Sequence, residues 1–299
     1  MNSLKSSVKL TAIATTTVLA MGAASVQAAV VDAADVVVIV DESGSMGGEH
    51  TWLPGMIADL EAGLLAAGVG TGADANNYAL VGFGGHTAGD VPHKHLVGGA
   101  DWGTSAQFGI AAGGLVTSGG FEDGWNGIDY FFDNYTPRGG DIALNVILVT
   151  DEDRDNQNGA LSYANVLAQL TSAGALLNAV VNCGFGPGAD VLGVDSSGDA
   201  YKADGLGGFT TVAGGSQSGG CAGTTKANYV DMAWASGGAA WDLNKLRAGG
   251  FTAESFSNAF VDIKVQEITT PPTGIPEPAT GVLFGLGLAS LLGLRRKLS

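Results

Sequence analysis

Positive charge is scarce in this chain: 13 lysines and arginines stand against 29 acidic residues in 299 positions, a net charge of −16. A surface of that sign repels phosphate, which excludes sequence-independent nucleic-acid binding. Aromatic residues are also few, at 7%, so the interior has to be built from Ala, Val, Leu and Gly packed closely. Cysteine is limited to Cys183 and Cys221, too few for a disulfide framework to replace a core. Catalytic signatures are missing: there is no G-x-S-x-G elbow, no H-E-x-x-H and no phosphate-cradling G-x-x-x-x-G-K. An enzymatic role is therefore not expected. What the chain does have is a 45% apolar content, ample for a packed core and incompatible with wholesale disorder. Its 49 glycines follow no three-residue period, which excludes collagen.

The two ends do not read as fold. Lys5 and Lys9 open a basic start, Leu10 to Ala24 is apolar with threonines, and Val26-Gln27-Ala28 fits a small-x-small cleavage pattern. Residues 1–28 thus read as a secretory signal peptide. At the other end Ile275-Pro276-Glu277-Pro278 precedes an uncharged apolar run, Ala279 to Leu294, and then Arg295-Arg296-Lys297. A helix over that run reaches ~24 Å, short of a ~30 Å hydrocarbon core. Its basic end stays cytoplasmic and leaves Pro276, Glu277 and Pro278 outside. This tail resembles a PEP-CTERM sorting signal, found on exported proteins of Gram-negative bacteria that make exopolysaccharide. The resemblance implies transient membrane contact through residues 279–299, recognition by an exosortase-like enzyme, and release to the cell surface or matrix; a retained single-pass anchor is the alternative. Removal of both ends takes five basic residues and no acid, so the mature chain is more acidic still and receptive to divalent cations.

Between these ends, residues 29–270 form the expected domain, followed by a linker, 271–278. Asp35 to Val40 is an unbroken β-branched run, Tyr78 to Phe83 a second strand, Ile142 to Val149 a third and Leu176 to Asn182 a fourth. Helices are predicted over Trp52–Ala67, Gly124–Asn134 with Trp125, Ile128 and Phe132 facing the sheet, Leu161–Ser172 with Ser162 as N-cap, Val230–Trp234, and Ala253–Val265. His95 to Ile110 reads as short strands around glycines with one edge hairpin, and Ala239 to Leu243 as the last strand. The alternation predicts an α/β fold: a doubly wound, mostly parallel sheet flanked by helices. Ligand chemistry then belongs beyond the strand carboxyl ends, after Val40, Phe83 and Val149. The Gly-rich stretch 184–228 interrupts the alternation and reads as an insertion at that same rim, with a hairpin around Ser196-Ser197-Gly198.

Directly after the first strand, Asp41, Ser43 and Ser45 alternate in a loop loosened by Gly44, Gly47 and Gly48. One carboxylate and two hydroxyls are hard oxygen ligands that suit Mg²⁺ or Mn²⁺. Asp151 closes the third strand as a further carboxylate. These residues resemble the von Willebrand factor A (integrin I-like) domain over about Val36 to Val265. The likeness is carried by Asp41, Ser43 and Ser45 as the first loop of a metal-ion-dependent adhesion site and by Val146-Ile147-Leu148-Val149-Thr150-Asp151. It implies the fold, a divalent cation at the rim, and binding of acidic groups on a protein or exopolysaccharide. The middle loop departs from the family's Gly-Gly-Thr form, since Gly119-Gly120 precede Phe121, Glu122 and Asp123. It is closer to the integrin β-type loop, which assigns Glu122 with Asp123 as rival. A second carboxylate tilts the site towards Ca²⁺. The alternative function is a passive acidic matrix protein whose metal loop is vestigial.

Four further features remain. Asp153 and Asp155 read as a solvated acidic turn, with an adjacent second cation as the other reading. His93-x-His95 has no acid or cysteine partner nearby in sequence and reads as a polar strand edge. His50 stands near Ser45, but the serines are better explained as ligands. Export permits a Cys183–Cys221 disulfide, which would staple the insertion to a core strand.

Overall fold

The structure, a computed structural model, describes residues 31–270. The expected signal segment 1–28, the Pro276-Glu277-Pro278 motif and the apolar tail 279–299 lie outside the described residues. The strands are β1 (Ala33–Asp41), β2 (Asn77–Phe83), β3 (His93–His95), β4 (Ile142–Thr150), β5 (Leu176–Val181), β6 (Gly184–Gly186), β7 (Val191–Asp195), β8 (Asp199–Ala203), β9 (Phe209–Ala213), β10 (Ser216–Gly219) and β11 (Ala239–Asp242). The α-helices are α1 (Gly47–His50), α2 (Leu53–Ala66), α3 (Ser105–Ala112), α4 (Gly124–Asn134), α5 (Tyr163–Ser172), α6 (Asp231–Ala235), α7 (Leu243–Arg247) and α8 (Gly250–Thr269).

β1 is buried along its whole length, because its Val36–Val40 run is covered on both faces. Its side chains alternate between two cores. Val36, Val38 and Val40 join α2, α3 and α8 through Leu60, Phe108 and Phe260. Val37 and Ile39 join α4, α5 and α6 through Phe131, Leu170 and Met232. The sheet runs β3-β2-β1-β4-β5-β11-β7-β8-β9, with β2, β1, β4, β5 and β11 parallel. The order reverses at β1: the chain winds out to β2 and β3, then returns to β4 on the other side. The crevice at such a reversal is where open α/β sheets place their ligands. Among the described residues no helix is long and apolar enough to cross a membrane.

Three sequence expectations are corrected. The stretch 184–228 does not simply decorate the rim. β7 pairs antiparallel with β11, and β8 and β9 follow it, so most of the insertion widens the sheet and covers an edge that would otherwise invite mispairing. The hairpin at 196–198 is present, and β6 and β10 form a separate pair. Cys183, just after β5, is bonded to Cys221, just after β10. Second, the edge strand β3, antiparallel to β2, ends at His95 where the 95–110 region begins, and that region runs into a helix, α3. Thr104 caps that helix and Gln107 returns the bond to the Thr104 N–H. Third, α4 turns Phe131 to the core and leaves Phe132 half-buried; Ile128 and Phe131 are three apart and share a face.

Candidate metal centre

Asp41 is the last residue of β1 and is fully buried. Its carboxylate is held from two sides: Oδ1 accepts the Ser43 N–H at 2.7 Å, and Oδ2 accepts the Thr150 hydroxyl at 2.9 Å. The first bond bends the chain back over the strand end. The second uses the residue that closes the neighbouring parallel strand, β4. Ser43 and Ser45 Oγ lie 3.1 Å apart, and the Ser45 hydroxyl donates to Asp151 Oδ1 at 3.0 Å. His50 Nε2 donates to the Asp41 carbonyl at 2.7 Å. His50 is thus a buttress beneath the loop rather than a base facing a serine.

Glu122 arrives from the other side of β1. Gly119 lies so close to the β2 terminus that a Cβ there would sit 1.5 Å from the Gly84 carbonyl oxygen, and this contact lays the 119–122 loop across the strand ends. Asp155 fixes the loop: its Oδ2 accepts the Glu122 N–H at 2.7 Å and its own N–H donates to the Glu122 carbonyl at 2.9 Å. Asp153 accepts both the N–H and hydroxyl of Thr224. The acidic turn is therefore a bracket between the site loop and the insertion, not a freely solvated surface.

The two rivals in the middle loop have separate partners. Asp123 caps α4 through Asn126 and takes the guanidinium of Arg154 at 2.7 and 3.1 Å. Arg154 also lies over the Trp125 ring. The Glu122 carboxyl faces Asp41 instead, and its Oε2 is buried with no hydrogen-bond partner. One oxygen each from Asp41, Glu122 and Asp151 lie within 4.8 Å of one another, and all three residues are buried. Burial pushes the carboxyls of Asp41 and Glu122 up, and for Glu122 the facing Asp41 adds to the push. Three buried carboxyls close together, one with an unpartnered oxygen, at a loop that supplies two hydroxyls form a donor set of the kind a hard divalent cation takes.

One residue and one whole cluster at this rim were missed in the sequence. Arg247, at the end of α7, donates to Asp151 Oδ2 at 2.8 Å and to the Ser45 carbonyl at 3.4 Å, and pairs with the buried carboxylate of Glu49. Nothing in local spacing links Arg247 to Asp151, 96 positions away. A second cluster, also missed, lies on the far side of Asp41: Glu42 with His93 and His95. Burial acts against ionisation of Glu42, yet the contacts from His93, His95 and the Val116 N–H hold its carboxyl down at about 2.

Strand order and rim chemistry together describe a mostly parallel α/β domain with an acidic cluster at its switch point. Beyond it, residues 274–297 match the PEP-CTERM protein-sorting motif, which implies export, sorting to the cell surface and handling by an exosortase-type system. Among curated proteins none matches the chain. Solved structures similar in part include proximal thread matrix protein 1 from the mussel byssus, 22% identical over 51% of this chain and 37% of that one, TM-score 0.37. Another structure of the mussel protein has a zinc-occupied MIDAS motif. The vWF domain of the type V pili tip protein Mfa5 from Porphyromonas gingivalis is 23% identical over 42% of this chain and 40% of that one, TM-score 0.29. The chain therefore spans well under half the length of the mussel protein.

Proposed function

We propose that this is an exported surface or matrix protein that binds acidic groups, on a protein or an exopolysaccharide, through a divalent cation held by Asp41, Ser43, Ser45, Glu122 and Asp151. The observation that carries the reading is the buried trio of carboxylates with Glu122 Oε2 left without a partner. A bound cation neutralises the repulsion among these groups and keeps residual positive charge for an incoming carboxylate. Mg²⁺ and Mn²⁺ suit the hydroxyl-rich side, whereas the extra carboxylate favours Ca²⁺. Arg247, about one-third exposed beside Asp151, adds a fixed positive charge that an acidic ligand would also meet. Asp41, Thr150 and His50 orient the loop; no covalent chemistry is asked of them.

Isothermal calorimetry on the full-length chain with Mg²⁺, Mn²⁺ and Ca²⁺ tests this reading. Binding is expected in the native chain and abolished in Asp41→Ala; identical heats from both would sink it. One observation favours the alternative of a passive acidic matrix protein: Arg247 already neutralises Asp151 without any ion. In that case retention on matrix polysaccharide is indifferent to EDTA. Processing is tested separately by mass spectrometry of the exported protein, with a carboxyl end expected near Pro276–Pro278. An intact Ser299 would point to a retained membrane anchor.

A further inference from the structure

β3 runs antiparallel to β2 with Gly82 opposite His93 and Leu80 opposite His95. Residues two apart on a strand point to one face, so both imidazoles project together, with ring centroids 4.9 Å apart. Glu42 follows β1, and its N–H donates to Phe83 at the end of β2, which carries its side chain over Gly82. Only glycine leaves room there: a Cβ at Gly82 would sit 2.0 Å from Glu42 Oε2 and 2.8 Å from His95 Nε2. The carboxylate therefore meets both rings, Oε2 at 2.9 Å from His93 Nε2 and Oε1 at 3.2 Å from His95 Nε2.

These contacts are poorly satisfied as hydrogen bonds. Glu42 Oε2 and His95 Nε2 are both buried without a hydrogen-bond partner, and the Glu42 side chain has no exposed surface. His93 Nδ1 lies 3.2 Å from the Val91 carbonyl. A carbonyl only accepts, so Nδ1 keeps a proton there, and Nε2 is the nitrogen that would give up its proton to bind a metal. An outer carbonyl that fixes the tautomer in this way is the usual partner of a metal-bound imidazole.

We propose that Glu42, His93 and His95 form a second metal site, distinct from the acidic cluster and selective for a transition cation of the Zn²⁺ type. Two imidazole nitrogens and one carboxylate suit Zn²⁺, which binds them at ~2.0–2.2 Å, and suit Mg²⁺ or Ca²⁺ poorly. At those bond lengths tetrahedral ligands lie ~3.4 Å apart; a slight opening of the observed 2.9 and 3.2 Å contacts admits the ion. The imidazoles are partly exposed, His93 by 25% and His95 by 15%. That leaves an entry path and a free coordination position for water or an outside ligand.

The test uses the full-length chain and Co²⁺ as a spectroscopic stand-in for Zn²⁺. One Co²⁺ per chain should bind with the intense visible absorption of a four-coordinate site, and Zn²⁺ should displace it. Affinity should fall at least ~100-fold in a His93→Gln/His95→Gln variant, the upper end of what even loss of an outer partner does. It should stay unchanged in Asp41→Ala, a variant aimed at the other cluster. No Co²⁺ or Zn²⁺ binding by the native chain, or a spectrum insensitive to the histidine changes, overturns the proposal. X-ray absorption of the native chain with one equivalent of Zn²⁺ needs no variant: imidazole scattering supports the site, and an oxygen-only shell overturns it.

Discussion

Asp41 and Glu42 are adjacent in the chain and both are buried, yet they serve opposite electrostatic situations. Asp41 faces other acids, Glu122 and Asp151, and the group is frustrated without a cation. Glu42 faces two imidazoles and a backbone N–H at 2.8 Å, and it stays ionised. Successive residues at a strand end point to opposite sides, so one strand terminus feeds two donor sets. The first is all oxygen; the second mixes nitrogen and oxygen. Ligand softness then separates the metals without any difference in depth.

The comparison assumes that both clusters belong to the core sheet and not to the insertion. Replacement of Cys183 and Cys221 by serine tests this with the largest expected effect. The bond closes a loop of sequence separation 38, so its loss should lower stability by about 3–4 kcal/mol in denaturant unfolding. Metal affinities at both clusters should survive. A selective fall at the acidic cluster would show that the Thr224–Asp153 contact makes the insertion part of that site.

Glu42→Ala comes next. It strips two histidines and the Val116 N–H of a buried partner, so the metal-free protein should lose about 3 kcal/mol. Glu122→Gln should do the reverse. Burial and Asp41 push the Glu122 carboxyl up to about 9, so folding costs it a proton uptake at neutral pH; Gln has no such cost, which stabilises the metal-free fold by about 1 kcal/mol and ends any added stability from Mg²⁺ or Ca²⁺. Thermal melts of both variants, with and without EDTA, read the pair. Equal destabilisation by the two changes would erase the contrast between an all-acid cluster and one whose carboxylate faces histidines.

Much of the first cluster was legible in the sequence because its determinants are local. Val36 to Val40 and Val146 to Val149 announce strands buried on both faces, and Asp41, Ser43 and Asp151 stand where such strands end. The insertion was misjudged because short Gly-broken strands such as Val191–Asp195 carry little periodicity, and only the open edge of β11 says where they go. The helix α3 was missed despite a readable sign, Thr104 with Gln107 three residues on, which is a capping box. Glu42 hid as an unremarked position between Asp41 and Ser43. Its histidines lie about fifty residues away, and strand register, not spacing, brings them together. Arg247 had no local sign at all.

The smallest effect is also the most specific. Asp155 touches neither cluster's donor atoms, yet it holds the Glu122 backbone at both N–H and carbonyl. Asp155→Ala removes only the side-chain half of that bracket, so stability should fall by about 1 kcal/mol or less. Glu122 would then no longer be held against Asp41, and cation affinity at the acidic cluster should drop roughly tenfold, as for loss of an outer partner. Co²⁺ binding by Glu42, His93 and His95 should not move, because their supports run through Gly82 and Val116. Calorimetry with Mn²⁺ beside the Co²⁺ spectrum measures both in one preparation. A parallel loss at the two clusters would mean that the 116–122 loop couples them, and the division at the end of β1 would have to be redrawn as a single two-metal rim.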